Sequence, residues 1–112
     1  MWLITTIGFF SAVQKPGDTE LTVRARARAD LDRLREQYLP ELGETIEGAG
    51  TDYAYRAKVS HEAFARASAA MVSDIDYGNF KNEVARTSGR DRATVYGGVW
   101  VELLALQQAE RG

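Results

Sequence analysis

The sequence predicts an α+β fold: a four-stranded, mainly antiparallel sheet, built from two hairpins that one helix separates, with C-terminal helices packed on one face. Three observations favour this class. The first 28 residues contain a long apolar run, a Pro-Gly turn and a strictly alternating return. The spacing of apolar residues then changes from two to about 3.6 residues. A second alternating stretch ends at Val59, and helical spacing follows it towards the end of the chain.

The first hairpin starts with an apolar strand over residues 2–13, which we expect to lie inside the sheet. Both of its faces are apolar, as is typical of a strand that is covered on both sides. Gly8 interrupts the run and indicates a bulge or a close approach of another part of the backbone. The strand parity places Trp2, Ile4 and Phe10 on one face and Leu3, Ile7, Phe9 and Val13 on the other.

The return strand of this hairpin is predicted to have one buried face and one solvated face. Pro16 and Gly17 supply the turn, because proline fixes φ and glycine accepts positive φ. After the turn, small apolar residues and arginines alternate, a period that is typical of a half-buried strand. Val23, Ala25 and Ala27 share one parity, and Arg24, Arg26 and Arg28 share the other.

An amphipathic helix and a shorter hairpin follow. The helix is predicted over residues 29–38, before Pro40, with Leu31, Leu34 and Tyr38 on its inner face. The hairpin consists of a short strand at residues 44–47, a turn at Gly48-Ala49-Gly50 and a strand over residues 52–59. In that strand Tyr53, Tyr55, Ala57 and Val59 alternate with Ala54, Arg56 and Lys58.

Three helices are predicted in the rest of the chain. Ser60 caps the first, which ends near residue 73, and a turn at residues 74–79 leads to a short helix over residues 80–86. Ser88 and Asp91 resemble the start of the last helix, at residues 90–108, in which Gly97 and Gly98 predict close backbone packing or a kink. The inner faces carry Phe64, Ala67, Met71 and Ile75 in the first helix, and Tyr96, Val99, Trp100, Leu103 and Leu106 in the last.

Composition predicts a single α+β domain, residues 1–112, in the cytoplasm. A chain of 112 residues buries about 65% of the surface that it exposes when unfolded. The absence of cysteine excludes disulfides and thiolate metal sites and fits a reducing compartment. No apolar run approaches the ~18 residues of a membrane span, and no phosphate-loop or dinucleotide motif occurs, so we expect no membrane association and no cofactor. A net charge of −2 weakens the case for a general nucleic-acid binder.

Several blocks of sequence occur together in this chain. They are Met1-Trp2-Leu3 with Gly8-Phe9-Phe10-Ser11 and Val13-Gln14, the strand Leu21-Thr22-Val23-Arg24-Ala25-Arg26, Asp52-Tyr53 with Tyr55-Arg56, and Asp74-Ile75-Asp76-Tyr77 with Asn79-Phe80-Lys81. As a set they resemble an uncharacterised family of short bacterial proteins, and the resemblance covers nearly the whole chain. It implies no activity, cofactor or partner, because that family has no known activity.

Two groups of residues are candidates for a ligand site. If both alternating rows face one side of one sheet, they form a cationic patch suited to phosphate contacts and base stacking, made of Arg24, Arg26, Arg56 and Lys58. The alternative is a solvated face on which arginine stems cover apolar surface. The second group is Tyr77, Asn79 and Lys81, whose alternative is a set of turn and capping residues. Asp74 and Asp76 offer oxygen ligands nearby, but no complete metal-binding pattern, so we expect no metal.

The charge pattern favours a non-catalytic binding module that holds an anionic partner, a nucleic acid or a nucleotide, on a basic sheet face. A protein-interaction or homo-oligomeric assembly protein is the first alternative, in which the apolar first strand or the Trp100 helix pairs with another chain. A small enzyme with an acidic site near residues 74–81 is the second, and it would unite Asp74, Asp76, Tyr77 and His61. No spacing requires such a site, so no catalytic residue is assigned.

Overall fold

The computed structural model describes residues 1–48 and 52–112, and it confirms an α+β class with an antiparallel sheet and C-terminal helices. The strands are β1 (Trp2–Ile4), β2 (Phe9–Val13), β3 (Leu21–Ala25), β4 (Ile46–Glu47) and β5 (Tyr55–Val59). The helices are α1 (Arg28–Gln37), α2 (His61–Ser73), α3 (Phe80–Ser88) and α4 (Arg90–Arg111). These elements divide between two compact units, Met1–Asp76 and Tyr77–Gly112.

The sheet has five strands rather than the predicted four, in the order β1-β2-β3-β5-β4, and each neighbouring pair is antiparallel. The predicted single strand over residues 2–13 is wrong because the chain turns between β1 and β2. Thr5 forms this turn, since its Oγ1 accepts hydrogen bonds from the amides of Ile7 and Gly8, each at 3.2 Å. A hydroxyl that bonds to nearby backbone groups favours a turn in this way. β1 is therefore an edge strand, and of the two segments only β2 lies inside the sheet.

The turn also changes which residues share a face of the sheet. In the register of β1 and β2, Trp2 lies opposite Ser11 and Ile4 lies opposite Phe9. Because directly opposite residues of antiparallel strands point to the same side, Trp2 shares its face with Phe9 and not, as predicted, with Phe10. We call this side the arginine face; it carries Trp2, Ile4, Phe9, Ser11, Val13, Thr22, Arg24, Ile46, Arg56 and Lys58.

The other side, the core face, packs against α1 and α2. Leu31 and Leu34 are fully buried, which confirms the predicted inner face of the first helix. That helix begins and ends one residue earlier than expected. The main hydrophobic cluster joins Phe10, Ala12, Val23, Ala25, Ala57 and Val59 of the sheet to Leu31 and Leu34 of α1 and to Ala63, Phe64 and Ala67 of α2. Burial of these apolar side chains is the main source of stability in this unit.

A buried aspartate joins α1 to the start of β2. Asp30 is 2% exposed, and its Oδ2 accepts a hydrogen bond from the Phe9 amide at 3.0 Å. Its Oδ1 accepts another from Arg33 Nη2 at 2.9 Å. The Asp30 side chain lies so close to Gly8 that a Cβ atom there would stand 2.6 Å from Asp30 Cγ. Gly8 therefore marks a close approach, as predicted, but a side chain and not the backbone makes it.

The ends of α2 agree with the sequence in one respect and differ in another. Ser60 caps the helix as predicted, because its Oγ accepts a hydrogen bond from the Ala63 amide at 3.2 Å. Phe64 and Ala67 are buried on the inner face. The assignment of Ile75 to that face is wrong: the helix ends at Ser73, so helical spacing no longer applies, and Ile75 is exposed.

The β4–β5 hairpin is shorter than expected. Only Ile46–Glu47 and Tyr55–Val59 are paired, and residues 44–45 and 52–54 lie outside the strands. The glycine at position 48 has a φ of +73°, as suits a turn. Ala49 and Gly50 of the predicted turn lie outside the described residues.

The second unit is a pair of helices, α3 and α4. Asn79 caps α3, since its Oδ1 accepts a hydrogen bond from the Asn82 amide at 2.9 Å. Phe80 at the start of α3 stacks on Tyr96 of α4, with ring centroids 6.0 Å apart and planes 12° apart. Val84 of α3 is buried. This aromatic pair fixes where the two helices meet.

Three predictions about α4 are wrong in whole or in part. The helix does not start with a Ser88 cap, because Ser88 ends α3 and Gly89, with a φ of +96°, stands between the two helices. Close backbone packing at Gly97 and Gly98 is wrong, since among the described residues a Cβ atom at Gly97 would meet only the Lys81 side chain and no atom lies within 4 Å of one at Gly98; the alternative of a kink stays a prediction. Of the predicted inner residues Tyr96 is buried, whereas Trp100, Leu103 and Leu106 are exposed.

Candidate anion-binding face

One row of directly opposite residues crosses all five strands on the arginine face. From one sheet edge to the other the row consists of Trp2, Ser11, Arg24, Arg56 and Ile46. At a strand spacing of about 4.8 Å it is about 19 Å long. The strict alternation of β3 places Arg24 on this side, and the pairing of β3 with β5 brings Arg56 beside it. Arg24 of the first predicted row and Arg56 and Lys58 of the second therefore lie on one face.

Arg24 contacts uncharged groups. Its Nη2 donates a hydrogen bond to Ser11 Oγ at 2.7 Å, and its Cζ lies 4.6 Å from the centroid of the Tyr53 ring. No carboxylate among the described residues lies within ion-pair distance of it. The Nε atom of Arg24 is buried and makes no hydrogen bond to a described residue. The guanidinium is thus held in place by uncharged partners.

Arg26 directly follows the end of β3 and contacts the same tyrosine. Its Nη1 donates to the Asp52 carbonyl at 3.0 Å, and its Cζ lies 4.7 Å from the Tyr53 centroid. The strand parity predicted Tyr53 on the side of Tyr55, but Tyr53 precedes β5, so the alternation does not extend to it. Its ring is 4% exposed and joins the two arginines by cation–π contacts.

Three aromatic side chains form a chain of contacts beside the arginines. Trp2 meets Phe9 edge to face, with centroids 5.7 Å apart and planes 86° apart. Phe9 meets Tyr53 at 6.3 Å. Trp2 is 67% exposed at the sheet edge, whereas Tyr53 is buried. The sequence analysis did not predict this group. The signal that could have revealed it is Thr5, three residues before Gly8, because its hydroxyl forms a turn after which a new strand begins and other residues share a face.

The other predicted cations of this region have partners. Lys58 lies opposite Thr22 on the arginine face, and its Nζ is 3.2 Å from Asp18 Oδ2. Arg28 leaves the predicted row because it begins α1, where it lies 3.4 Å from Glu47 and 5.6 Å from the ring centroid of Tyr55. The strongest concentration of unpaired positive charge is therefore at β3 and the residue after it.

The second predicted group belongs to the other compact unit. Asn79 is the α3 cap, Tyr77 contacts Phe80 with ring centroids 6.1 Å apart, and Lys81 lies beside Gly97. Each of the three residues thus has a contact within the helix pair. Their role as ligand contacts stays a prediction.

The acidic turn before this unit has a structural contact of its own. Asp74 follows α2, and its Oδ2 accepts a hydrogen bond from Tyr38 Oη at 2.6 Å. No group of three or more potential metal ligands comes together in residues 1–48 and 52–112. The alternative of an acidic catalytic site near residues 74–81 gains no support from these contacts.

Comparison with known proteins gives no assignment: no family model matches the chain, and no curated protein or solved structure matches it significantly. None of the helices in the described ranges is long and apolar enough to cross a bilayer. A functional proposal therefore depends on the geometry of the arginine face.

Proposed function

We propose that this protein is a non-catalytic binding module that holds an anionic partner, a nucleic acid or a nucleotide, on its arginine face. The observation that carries the proposal is the register of β3 and β5, in which Arg24 and Arg56 are directly opposite. Like charges in this position destabilise a sheet. The guanidinium fork matches the oxygens of a phosphate, and a bound anion would neutralise Arg24, which has no carboxylate within ion-pair distance among the described residues.

The charge partners of other arginines support the same view. Five arginines elsewhere in the chain lie within 4.0 Å of a carboxylate: Arg28, Arg33, Arg35, Arg66 and Arg86. Within the described part of the chain, Arg24 and Arg26 contact only uncharged groups. Five arginines are thus neutralised by nearby carboxylates, whereas Arg24 and Arg26 combine a fixed position on one surface with uncharged partners, which leaves their charge to attract an external anion.

The small negative net charge makes the proposal specific to one surface. A chain with a formal net charge of −2 does not attract polyanions through its net charge. Binding must then come from a local group of cations, and it must fall steeply with salt, because bound phosphates release counterions. The absence of cysteine is compatible with a cytoplasmic location, which belongs to the same proposal.

The test measures binding of a fluorescent single-stranded oligonucleotide and of a labelled nucleotide by anisotropy at several salt concentrations. In the triple variant Arg24→Gln, Arg26→Gln and Arg56→Gln we expect strongly weakened binding and a smaller salt slope, by about 0.7 for each phosphate contact that is lost. Arg66→Gln is compared with the single variant Arg24→Gln as a matched control, because each removes one arginine charge and Arg66 lies in α2, on the core-face side of the sheet.

Two results would refute the proposal. One is the absence of binding to any nucleic acid or nucleotide at low salt. The other is an equal loss of affinity in the Arg66→Gln control, because the arginine face would then have no special part in binding. Circular dichroism spectra of all variants confirm that they are folded.

A second candidate is an assembly protein, and the exposed side chains of α4 favour it. Trp100, Leu103 and Leu106 are 68%, 55% and 70% exposed, although apolar groups of this size are usually buried. Light scattering over a wide concentration range tests self-association. A strictly monomeric mass at the highest concentration would exclude a homo-oligomer.

A further inference from the structure

We infer that the anionic partner is a single-stranded nucleic acid and that Trp2 stacks on one of its bases. The inference rests on the proposed function and narrows the class of partner. Its starting point is the combination of an exposed indole and a pair of guanidinium groups in one cross-strand row. Single-strand binding surfaces combine such features, since arginines follow the phosphates and aromatic rings stack on unpaired bases.

The position of Trp2 is fixed although its side chain is exposed. The backbone of its neighbour Met1 is held to β2 by a hydrogen bond from the Ala12 amide to the Met1 carbonyl at 2.9 Å. The edge-to-face contact with Phe9 orients the indole against the sheet. Two thirds of the Trp2 side chain still faces solvent. A base that stacks on it therefore meets a surface that is already ordered, which lowers the entropy lost on binding.

The distances suit a nucleotide chain. Trp2 and Arg24 are two strands apart in the row, which is about 10 Å at the usual strand spacing. This separation is of the order of the distance from a base to a nearby phosphate in an extended strand. Arg26, which packs on the buried ring of Tyr53, continues the cationic surface beyond the row. Bases in a duplex are paired and stacked on one another, so the indole has no base face to contact there.

The experiment uses the full chain with Trp100→Phe, which leaves Trp2 as its single tryptophan. The probes are a twelve-residue oligothymidine, a duplex of the same length and inorganic polyphosphate. We expect oligothymidine to quench Trp2 fluorescence and to bind more tightly than the duplex. Polyphosphate should bind without quenching this fluorescence, because it has no base to stack on the indole. Trp2→Ala should weaken oligothymidine binding by about 5-fold to about 150-fold and leave polyphosphate binding unchanged.

A conservative variant and a matched control complete the design. Trp2→Phe keeps an aromatic ring and should recover part of the affinity for oligothymidine. Trp100→Ala, which removes the other exposed indole, should leave it unchanged. Thermal melts check that each variant is folded, and the exposure of Trp2 predicts a small change in Tm.

The outcomes separate this inference from the proposed function. Unchanged oligothymidine affinity in Trp2→Ala, together with a loss in the triple arginine variant, would overturn the role of Trp2 and leave the anion-binding face in place. Equal affinity for duplex and single strand would overturn the preference for unpaired bases. Absence of binding to all three probes would overturn this inference, and absence of binding to the labelled nucleotide as well would refute the proposed function.

Discussion

Replacement of Gly8 by alanine should strongly destabilise the sheet unit. The new methyl carbon would stand 2.6 Å from Asp30 Cγ, 2.7 Å from Asp30 Cβ and 2.9 Å from Asp30 Oδ2. Asp30 cannot move away cheaply, because it is buried and holds hydrogen bonds from the Phe9 amide and from Arg33. The φ of Gly8, +157°, adds strain for a residue with a side chain.

The expected loss combines two effects. Overpacking of a well-packed site costs about 1–3 kcal/mol. Displacement of the Asp30 carboxylate weakens hydrogen bonds that involve a charged group, each of which contributes roughly 1.5–3 kcal/mol. Part of the strain is relieved by the displacement, so we expect Gly8→Ala to lower the free energy of unfolding by about 3 kcal/mol.

Urea denaturation followed by circular dichroism measures this loss. Gly78→Ala is the control, because no described atom lies within 4 Å of a Cβ atom at that position, and its effect should stay within about 0.5 kcal/mol. A double-mutant cycle with Asp30→Gly should show that the two losses are far from additive. A loss below about 1 kcal/mol in Gly8→Ala, or additive losses in the cycle, would refute the reasoning.

Two further predictions concern a helix end and a surface ion pair. Ser60→Ala should lower the free energy of unfolding by about 1 kcal/mol in urea denaturation, because the Ala63 amide loses its acceptor; an unchanged midpoint would contradict the cap. Hydrogen bonds from Arg66 lower the pKa of Glu41 from 4.5 to about 2, so the pair should stabilise the fold above pH 4.5 and lose this effect as the pH falls towards 2. NMR titration of the Glu41 carboxyl checks the value, and Arg66→Gln should return the pKa towards 4.5; a midpoint near 4.5 in the unmodified chain would contradict it.

Local patterns in the sequence predicted the elements of the fold but not every boundary. The alternation of buried Val23 and Ala25 with Arg24 and the spacing of Leu31 and Leu34 in α1 are confirmed, because burial of one face imposes a period on the sequence. The predicted alternation is wrong beyond Ala25, where β3 ends, and Thr22 on the arginine face is buried. The turn at Thr5 was missed because it lies within an apolar run and depends on one hydroxyl. Ser88 was assigned to the wrong helix because a single glycine, Gly89, is enough to end one helix and begin another.

The candidate site was predicted only in part, for a related reason. Parity within one strand predicted which side Arg24 and Arg56 occupy, but only the pairing of β3 with β5 shows that they are opposite. Alternation could not place Tyr53 or Trp2 on the arginine face. Tyr53 lies in an irregular segment before β5, and a turn separates Trp2 in β1 from β2. Register depends on contacts between distant segments, and no short stretch of sequence contains that information.

The turn at Thr5 has a consequence for the solubility of the chain during synthesis and refolding. Residues 2–13 contain no charged residue and no proline, and they are rich in β-branched and aromatic side chains, a composition typical of segments that form amyloid-like sheets. The turn divides them into a strand of three residues and a strand of five that pair with each other. Because a loop this short closes quickly, β1 and β2 can form backbone hydrogen bonds with each other before the segment meets the same segment of another chain. β1 is then too short to act as an extended template at the sheet edge.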